Sequence, residues 1–262
     1  MSRNEINAKA CAAAKYMIYI FLDNLNPDSR LNCHHKHKIT IHILPLFSFT
    51  REDAAGNGPS FEGEDYSYFR DLDRIAYISF QLLTALNYVH SLGLIHADVK
   101  PENILMKSYS DGEVKLIDFG SACFKTDHLS SYVQSRSYRA PEVILGSEYD
   151  GRIDIWSLGC VLAEVYNDGH VLFENDSLVQ LLAAITAVCG NIPARLLATS
   201  KHAEDFFLKS GLLYEQKAEV GDGEEPFYAL YAIKKRSLPE AMGIGIEGQC
   251  SDDEALFVDF LR

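Results

Sequence analysis

The stretch that most constrains this chain is residues 94–120, LIHADVKPENILMKSYSDGEVKLIDFG. It carries four side chains of one chemistry at close spacing. Asp98 supplies a carboxylate that can orient an attacking hydroxyl and accept its proton. Lys100, two residues on, supplies a cation. Asn103 and Asp118 supply hard oxygen atoms of the kind that bind Mg²⁺. Between them lie two short apolar runs, Ile104-Leu105-Met106 and Val114-Lys115-Leu116-Ile117, with Asp111-Gly112 as a turn. This pattern predicts a β-hairpin that brings Asn103 and Asp118 to one metal site. A base, a cation and two metal ligands are what phosphoryl transfer requires.

The linear motifs extend this reading. His96-Ala97-Asp98-Val99-Lys100-Pro101-Glu102-Asn103 resembles the catalytic loop of protein kinases, and Asp118-Phe119-Gly120 resembles their magnesium-binding loop. Ala140-Pro141-Glu142 resembles the end of an activation segment, and Asp154-Ile155-Trp156-Ser157-Leu158-Gly159 the start of the central helix of the large lobe. The phrase YVQSRSYRAPEVILG is most similar to the dual-specificity tyrosine-regulated kinases, particularly their plant group. The similarity runs over about residues 68–261.

That resemblance implies an α+β, kinase-like fold: a partial or degenerate small lobe over residues 1–67 and a mostly helical large lobe over 68–262. It implies transfer of the ATP γ-phosphoryl group to Ser or Thr of protein substrates, with Mg²⁺. Asp98 is then the base and Lys100 the phosphate cation. Asn103 and Asp118 are the metal ligands, and Lys100 and Leu105 join them in contacting the nucleotide. Tyr132 matches the tyrosine that the family autophosphorylates, with Arg136 and Arg139 placed to hold its phosphate. His96, Phe119, Gly120, Glu142 and Asp154 take structural roles. His96 packs beside Phe119, and Asp154 braces the catalytic-loop backbone.

The chain also departs from the family. Ala97 stands where kinases commonly have Arg and this group has Cys, so control through a phosphate bound at that position is not expected. Ser130 replaces a companion tyrosine. No glycine precedes Gly56, so a G-x-G-x-x-G phosphate loop is absent, and no V-A-I-K-like strand carries a Lys. Residues 51–65, REDAAGNGPSFEGED, are polar and turn-rich where the family has a buried strand and a hinge. The holes support an alternative, a non-catalytic binding protein or a piece of a longer kinase. Family helices beyond Arg262 would carry the Arg that pairs with Glu142, so Glu142 is expected without that partner.

The remaining features are plainer. Residues 1–26 read as one helix ending near Asn26-Pro27, with Lys15 near the place of the family's glutamate and Glu5 far from it. Cys33-His34-His35-Lys36-His37 reads as a solvated turn rather than a metal site, because adjacent histidines do not easily converge. Ile39, Ile41 and Ile43 alternate as in a strand, and HILPLFSF resembles the family's fourth strand. Ile75, Ile78, Leu82, Leu86 and Val89 line one face of a helix stopped at Gly93. Ile155, Trp156, Leu158, Val161, Leu162 and Val165 suggest a helix buried all round, and residues 178–188 another apolar helix. Tyr214-Glu215 and the run 233–238 resemble the insert of the wider kinase group, and 221–225 is an acidic loop. A net charge of −13 argues against a nucleic-acid partner. Six cysteines without CxxC spacing, and no membrane-length apolar run, predict an intracellular protein, cytoplasmic or nuclear.

Overall fold

The structure, a computed structural model, describes residues 70–108, 111–126, 133–217, 227–245 and 250–262. The sequence expectations for residues 1–67, for Ser130 and Tyr132, and for the 221–225 loop lie outside these residues.

The architecture starts from the amphipathic helix α1 (Leu72–Ser91), opened by Asp71, whose carboxylate accepts from Asp73 N. Its periodic apolar residues Ile75, Ile78, Leu82, Leu86 and Val89 are all buried. The chain leaves the helix at Leu92 and turns through Gly93 at φ +75°, a left-handed conformation that glycine takes without a Cβ clash. It then enters the two-residue strand β1 (Leu94–Ile95), which leads into the loop that carries Asp98.

A single 3₁₀ turn, Pro101–Asn103, passes into β2 (Ile104–Ser108), which pairs antiparallel with β3 (Glu113–Leu116). The register opposes Ile104 to Leu116 and Met106 to Val114, so these apolar side chains share the face that packs on α1. Gln81 ties the two elements. Its Nε2 donates to Gly112 O at 2.9 Å and its Oε1 accepts from Val114 N at 3.1 Å. After a second 3₁₀ turn, Phe119–Ser121, β4 (Cys123–Phe124) returns to pair with β1.

The segment 133–140 runs through the 3₁₀ turn Arg136–Tyr138 into the one-turn helix α2 (Pro141–Ile144). Helix α3 (Arg152–Tyr166) then crosses the middle of the domain. Ile153, Leu158, Val161, Leu162 and Val165 are at most 2% exposed. One sequence expectation fails here. Ile155 is 44% exposed and Trp156 is half-buried, stacked on Phe173 at 5.7 Å, so the first turn of α3 is not buried all round. The reason is directional. Within that turn Asp154 takes the inward position for hydrogen bonding, and its successor is rotated outward.

Helices α4 (Leu178–Cys189) and α5 (Ala194–Thr199) follow. The insert region forms an antiparallel hairpin of β5 (Tyr214–Lys217) and β6 (Phe227–Leu230), followed by α6 (Leu238–Ala241) and α7 (Asp252–Phe260). Serines cap both last helices in reciprocal capping boxes, Ser237 with Glu240 and Ser251 with Glu254. One large apolar cluster joins α1, the β2–β3 hairpin, α3, α4 and α7. A second, smaller one joins Ile95, Ala97, Ala140, Val143, Tyr149 and Ile153 beneath the catalytic loop. Among the described residues no helix is long and apolar enough to cross a membrane.

The contrast along α3 is testable by urea unfolding. Leu162→Ala, at a fully buried site, should lose about 2–5 kcal/mol of stability. Ile155→Ala, at an exposed site, should stay within about 0.5 kcal/mol of the parent.

Candidate active site

The site is built on a buried carboxylate. Asp154, 0% exposed, accepts from His96 N through Oδ2 at 2.9 Å and from Ala97 N through Oδ1 at 2.8 Å. These bonds hold the catalytic-loop backbone, including Ala97 at φ +63°, against α3. A third partner, His90 Nε2 at 2.7 Å from Oδ2, links the end of α1 to the same oxygen. The sequence reading did not assign His90 a role. It sits one residue past the apolar series, where nothing local marks it.

His96 is buried, and its ring meets Phe119 edge-on with centroids 4.8 Å apart. Its Nε2 lies 3.0 Å from Ile117 O, and its Nδ1 accepts from Asp98 N at 3.3 Å. Burial lowers its pKa, over the opposing charge of Asp154. A neutral ring with Nε2–H satisfies both contacts, so His96 has no free nitrogen for proton transfer.

Asp98 gathers the polar side chains around it. Oδ1 accepts from Ser135 N at 3.1 Å and from Ser135 Oγ at 2.8 Å. Oδ2 lies 2.9 Å from Lys100 Nζ and accepts from Asn103 Nδ2 at 3.1 Å. Asn103 Nδ2 also donates to Asp98 O at 2.8 Å, and Lys100 Nζ donates to Ser135 Oγ at 2.9 Å. Burial alone would raise the Asp98 carboxyl. The bonds from Lys100 and Ser135 and the Lys100 charge outweigh it and hold the pKa below the ordinary value. The group is therefore a fixed, ionised acceptor. Ser135 was not among the expected site residues, because the phrase that contains it was read for its tyrosine and arginines.

The hairpin brings the expected metal ligands to one edge. Ile117 N donates to Asn103 O at 2.8 Å, next to the Ile104–Leu116 pair, so Asp118 follows directly on the strand that faces Asn103. Asp118 sits at φ +63° with its carboxylate accepting from Gly120 N at 3.1 Å. With the Asn103 amide nitrogen directed to Asp98, its Oδ1 is the atom left for a cation. Among the described residues no three His, Cys, Asp or Glu groups converge on a metal site. One amide oxygen and one carboxylate nevertheless suit Mg²⁺, which takes few protein ligands and completes its shell with water and phosphate oxygens. Leu105, expected against the nucleotide, is 6% exposed in β2 and opposite Lys115.

The residues expected to read a phosphate on Tyr132 have separate environments. Arg139 is buried and donates to Val133 O at 2.9 Å and Gln134 O at 2.8 Å. Arg136 is exposed and donates to Asp176 O at 3.0 Å. Glu142 is half-buried, its carboxyl raised by burial against the opposing charge of Arg152, and no ion pair reaches it among the described residues. Beside this segment lies a buried acid that sequence reasoning missed. Glu164 on α3 accepts from Tyr138 Oη at 2.7 Å, and burial pushes its pKa up to about 7, with the Glu102 charge adding to the shift.

Comparison with known proteins completes the picture. A protein-family model described as "Protein kinase domain" matches residues 62–208. The chain belongs to the protein kinase family. A probable serine/threonine-protein kinase dyrk2 of Dictyostelium discoideum is 42% identical over 167 residues, 64% of this chain and 18% of the relative. A putative dual specificity tyrosine-phosphorylation-regulated kinase 3 homolog of Drosophila melanogaster is 38% identical over 239 residues, 85% of this chain and 28% of the relative. The human dual specificity tyrosine-phosphorylation-regulated kinase 3 is 40% identical over 184 residues, 69% of this chain and 31% of the relative. These relatives identify the catalytic domain as one of the dual-specificity tyrosine-regulated group. The chain spans less than a third of the length of each. Protein kinases use ATP with Mg²⁺.

The raised Glu164 pKa has a pH signature. The folded protein holds this proton between the ordinary glutamate value of 4.5 and about 7, while the unfolded chain releases it. The stability so gained is complete below pH about 4.5 and is lost as pH rises through about 7. Denaturant unfolding of the parent and of Glu164→Gln, which keeps an acceptor for Tyr138, should diverge by roughly 3 kcal/mol over that window. The parent should lose ground as pH rises.

Proposed function

We propose that this chain carries the catalytic region of a protein kinase that moves the γ-phosphoryl group of ATP to Ser or Thr hydroxyls of proteins, and autophosphorylates Tyr132. The observation that carries the reading is the set of bonds on Asp98. An ionised carboxylate with Lys100 and Asn103 on Oδ2 and Ser135 on Oδ1 is a fixed acceptor for one incoming hydroxyl. In a loose phosphoryl-transfer transition state little covalent work falls to the protein, so positioning and charge carry the catalysis.

The chain's residues divide that work. Asp98 orients the hydroxyl and takes its proton late. Lys100, already beside Asp98, offsets charge that develops on the transferred group. Asn103 Oδ1 and Asp118 would hold Mg²⁺, which would supply neutralisation of phosphate charge. Asp154 and His96 keep the loop and Phe119 in place. Tyr132, once phosphorylated, pairs with Arg136 and Arg139 and orders the segment. The substrates are intracellular proteins.

Residues 1–262 expressed in bacteria should carry phosphate on Tyr132, read by mass spectrometry, and an Asp118→Asn control should carry none. Folded parent protein without phosphate would overturn the catalytic reading. It would favour a non-catalytic binding role for this chain.

A further inference from the structure

Gln134 holds an unfavourable backbone conformation in a buried place. It is 7% exposed and sits at φ +67°, the left-handed region that disfavours residues with a Cβ. Its side chain explains how it stays there. Nε2 donates to Ser157 Oγ at 2.7 Å and to Ile153 O at 2.9 Å, and lies 3.4 Å from Tyr138 O. Oε1 accepts from Ala140 N at 2.9 Å. Its own backbone N donates to Ala97 O at 2.9 Å, and its carbonyl accepts from Arg139 Nη2 at 2.8 Å. One residue thereby joins the catalytic loop, the turn 136–138 and helix α3.

The residue that follows is Ser135, which makes both of the hydrogen bonds to Asp98 Oδ1 and accepts from Lys100 Nζ. Fixing the peptide between 134 and 135 fixes where the Ser135 N–H and hydroxyl point. We propose that Gln134 is a positioning residue for phosphoryl transfer: its side-chain amide locks the left-handed turn onto α3, and the turn holds Ser135 on Asp98. The proposal rests on the kinase reading. No other side chain of similar size serves. Glutamate loses both donors and sets a carboxylate against Ile153 O. Methionine keeps the shape but removes the acceptor for Ala140 N and the amide's donors to α3 in a buried place. Asparagine is one methylene too short to reach α3 from the same backbone.

The test uses Gln134→Met, and Ser157→Ala as a milder variant that removes one partner of the amide. The first readout needs no activity: amide hydrogen exchange at Ser135, by NMR, on residues 1–262 without nucleotide. Exchange should quicken by about tenfold or more in Gln134→Met, and by less in Ser157→Ala, while Leu162 keeps parental protection. Parental protection of Ser135 in Ser157→Ala and in folded Gln134→Met overturns the proposal. Should Gln134→Met not fold, Ser157→Ala decides.

The second readout is peptide phosphorylation. In Gln134→Met, kcat should fall by about tenfold with the peptide KM within about twofold of parental. In a Ser135→Ala background, which keeps only the backbone N–H on Asp98 Oδ1, the same change should cost less than it does in the parent. Losses that simply add in the double variant would overturn the proposal, because Gln134 would then support the fold without acting through Ser135. Should the parent transfer no phosphate, the kinase reading falls by itself, and the exchange at Ser135 still decides the role of Gln134.

Discussion

The arrangement depends on one buried charge. Asp154 sits in the first turn of a helix that crosses the core, with no exposed surface, and takes three hydrogen-bond donors. A carboxylate so far from water is costly unless its lone pairs are met. Two of the donors are consecutive backbone N–H groups that no strand or helix claims. The need of the carboxylate and the need of the loop satisfy each other, and neither could be buried without the other. From that anchor the loop projects Asp98 and Lys100 on one side and packs Ala97 into an apolar cluster on the other.

The elements around the anchor differ in how well the sequence announces them. Helix α1 is legible because its apolar residues recur at helical spacing and Gly93 follows as a stop. The β2–β3 hairpin is legible because Asp111-Gly112 lies between two short apolar runs. Asp98, Lys100, Asn103 and Asp118 are legible by motif and spacing alone, and the structure brings the first three into direct contact. Ile155 misleads, because an apolar residue beside an inward-facing Asp154 looks like core when only composition is weighed.

What stays hidden is set by contacts between distant segments. Ser135, Gln134, His90 and Glu164 each act across 19 to 64 residues of chain. No periodicity marks them, since a buried polar side chain is defined by its partners and not by its neighbours in sequence. Glu164 is the clearest case. It lies in an apolar helix where a carboxylate would ordinarily be expected to face water, and only the Tyr138 hydroxyl opposite it explains its place.

Gln81 gives the hairpin edge that carries Asn103 a property of its own. Its amide bonds the hairpin at Gly112 and Val114, at the end away from Asn103 and Ile117. The hairpin therefore behaves as a lever pinned near its tip to a rigid helix. Motion arising at the turn meets the pin before it reaches Asn103 and Ile117. The spacing of Asn103 and Ile117 across the hairpin is then inherited from the helix it is pinned to rather than from the turn.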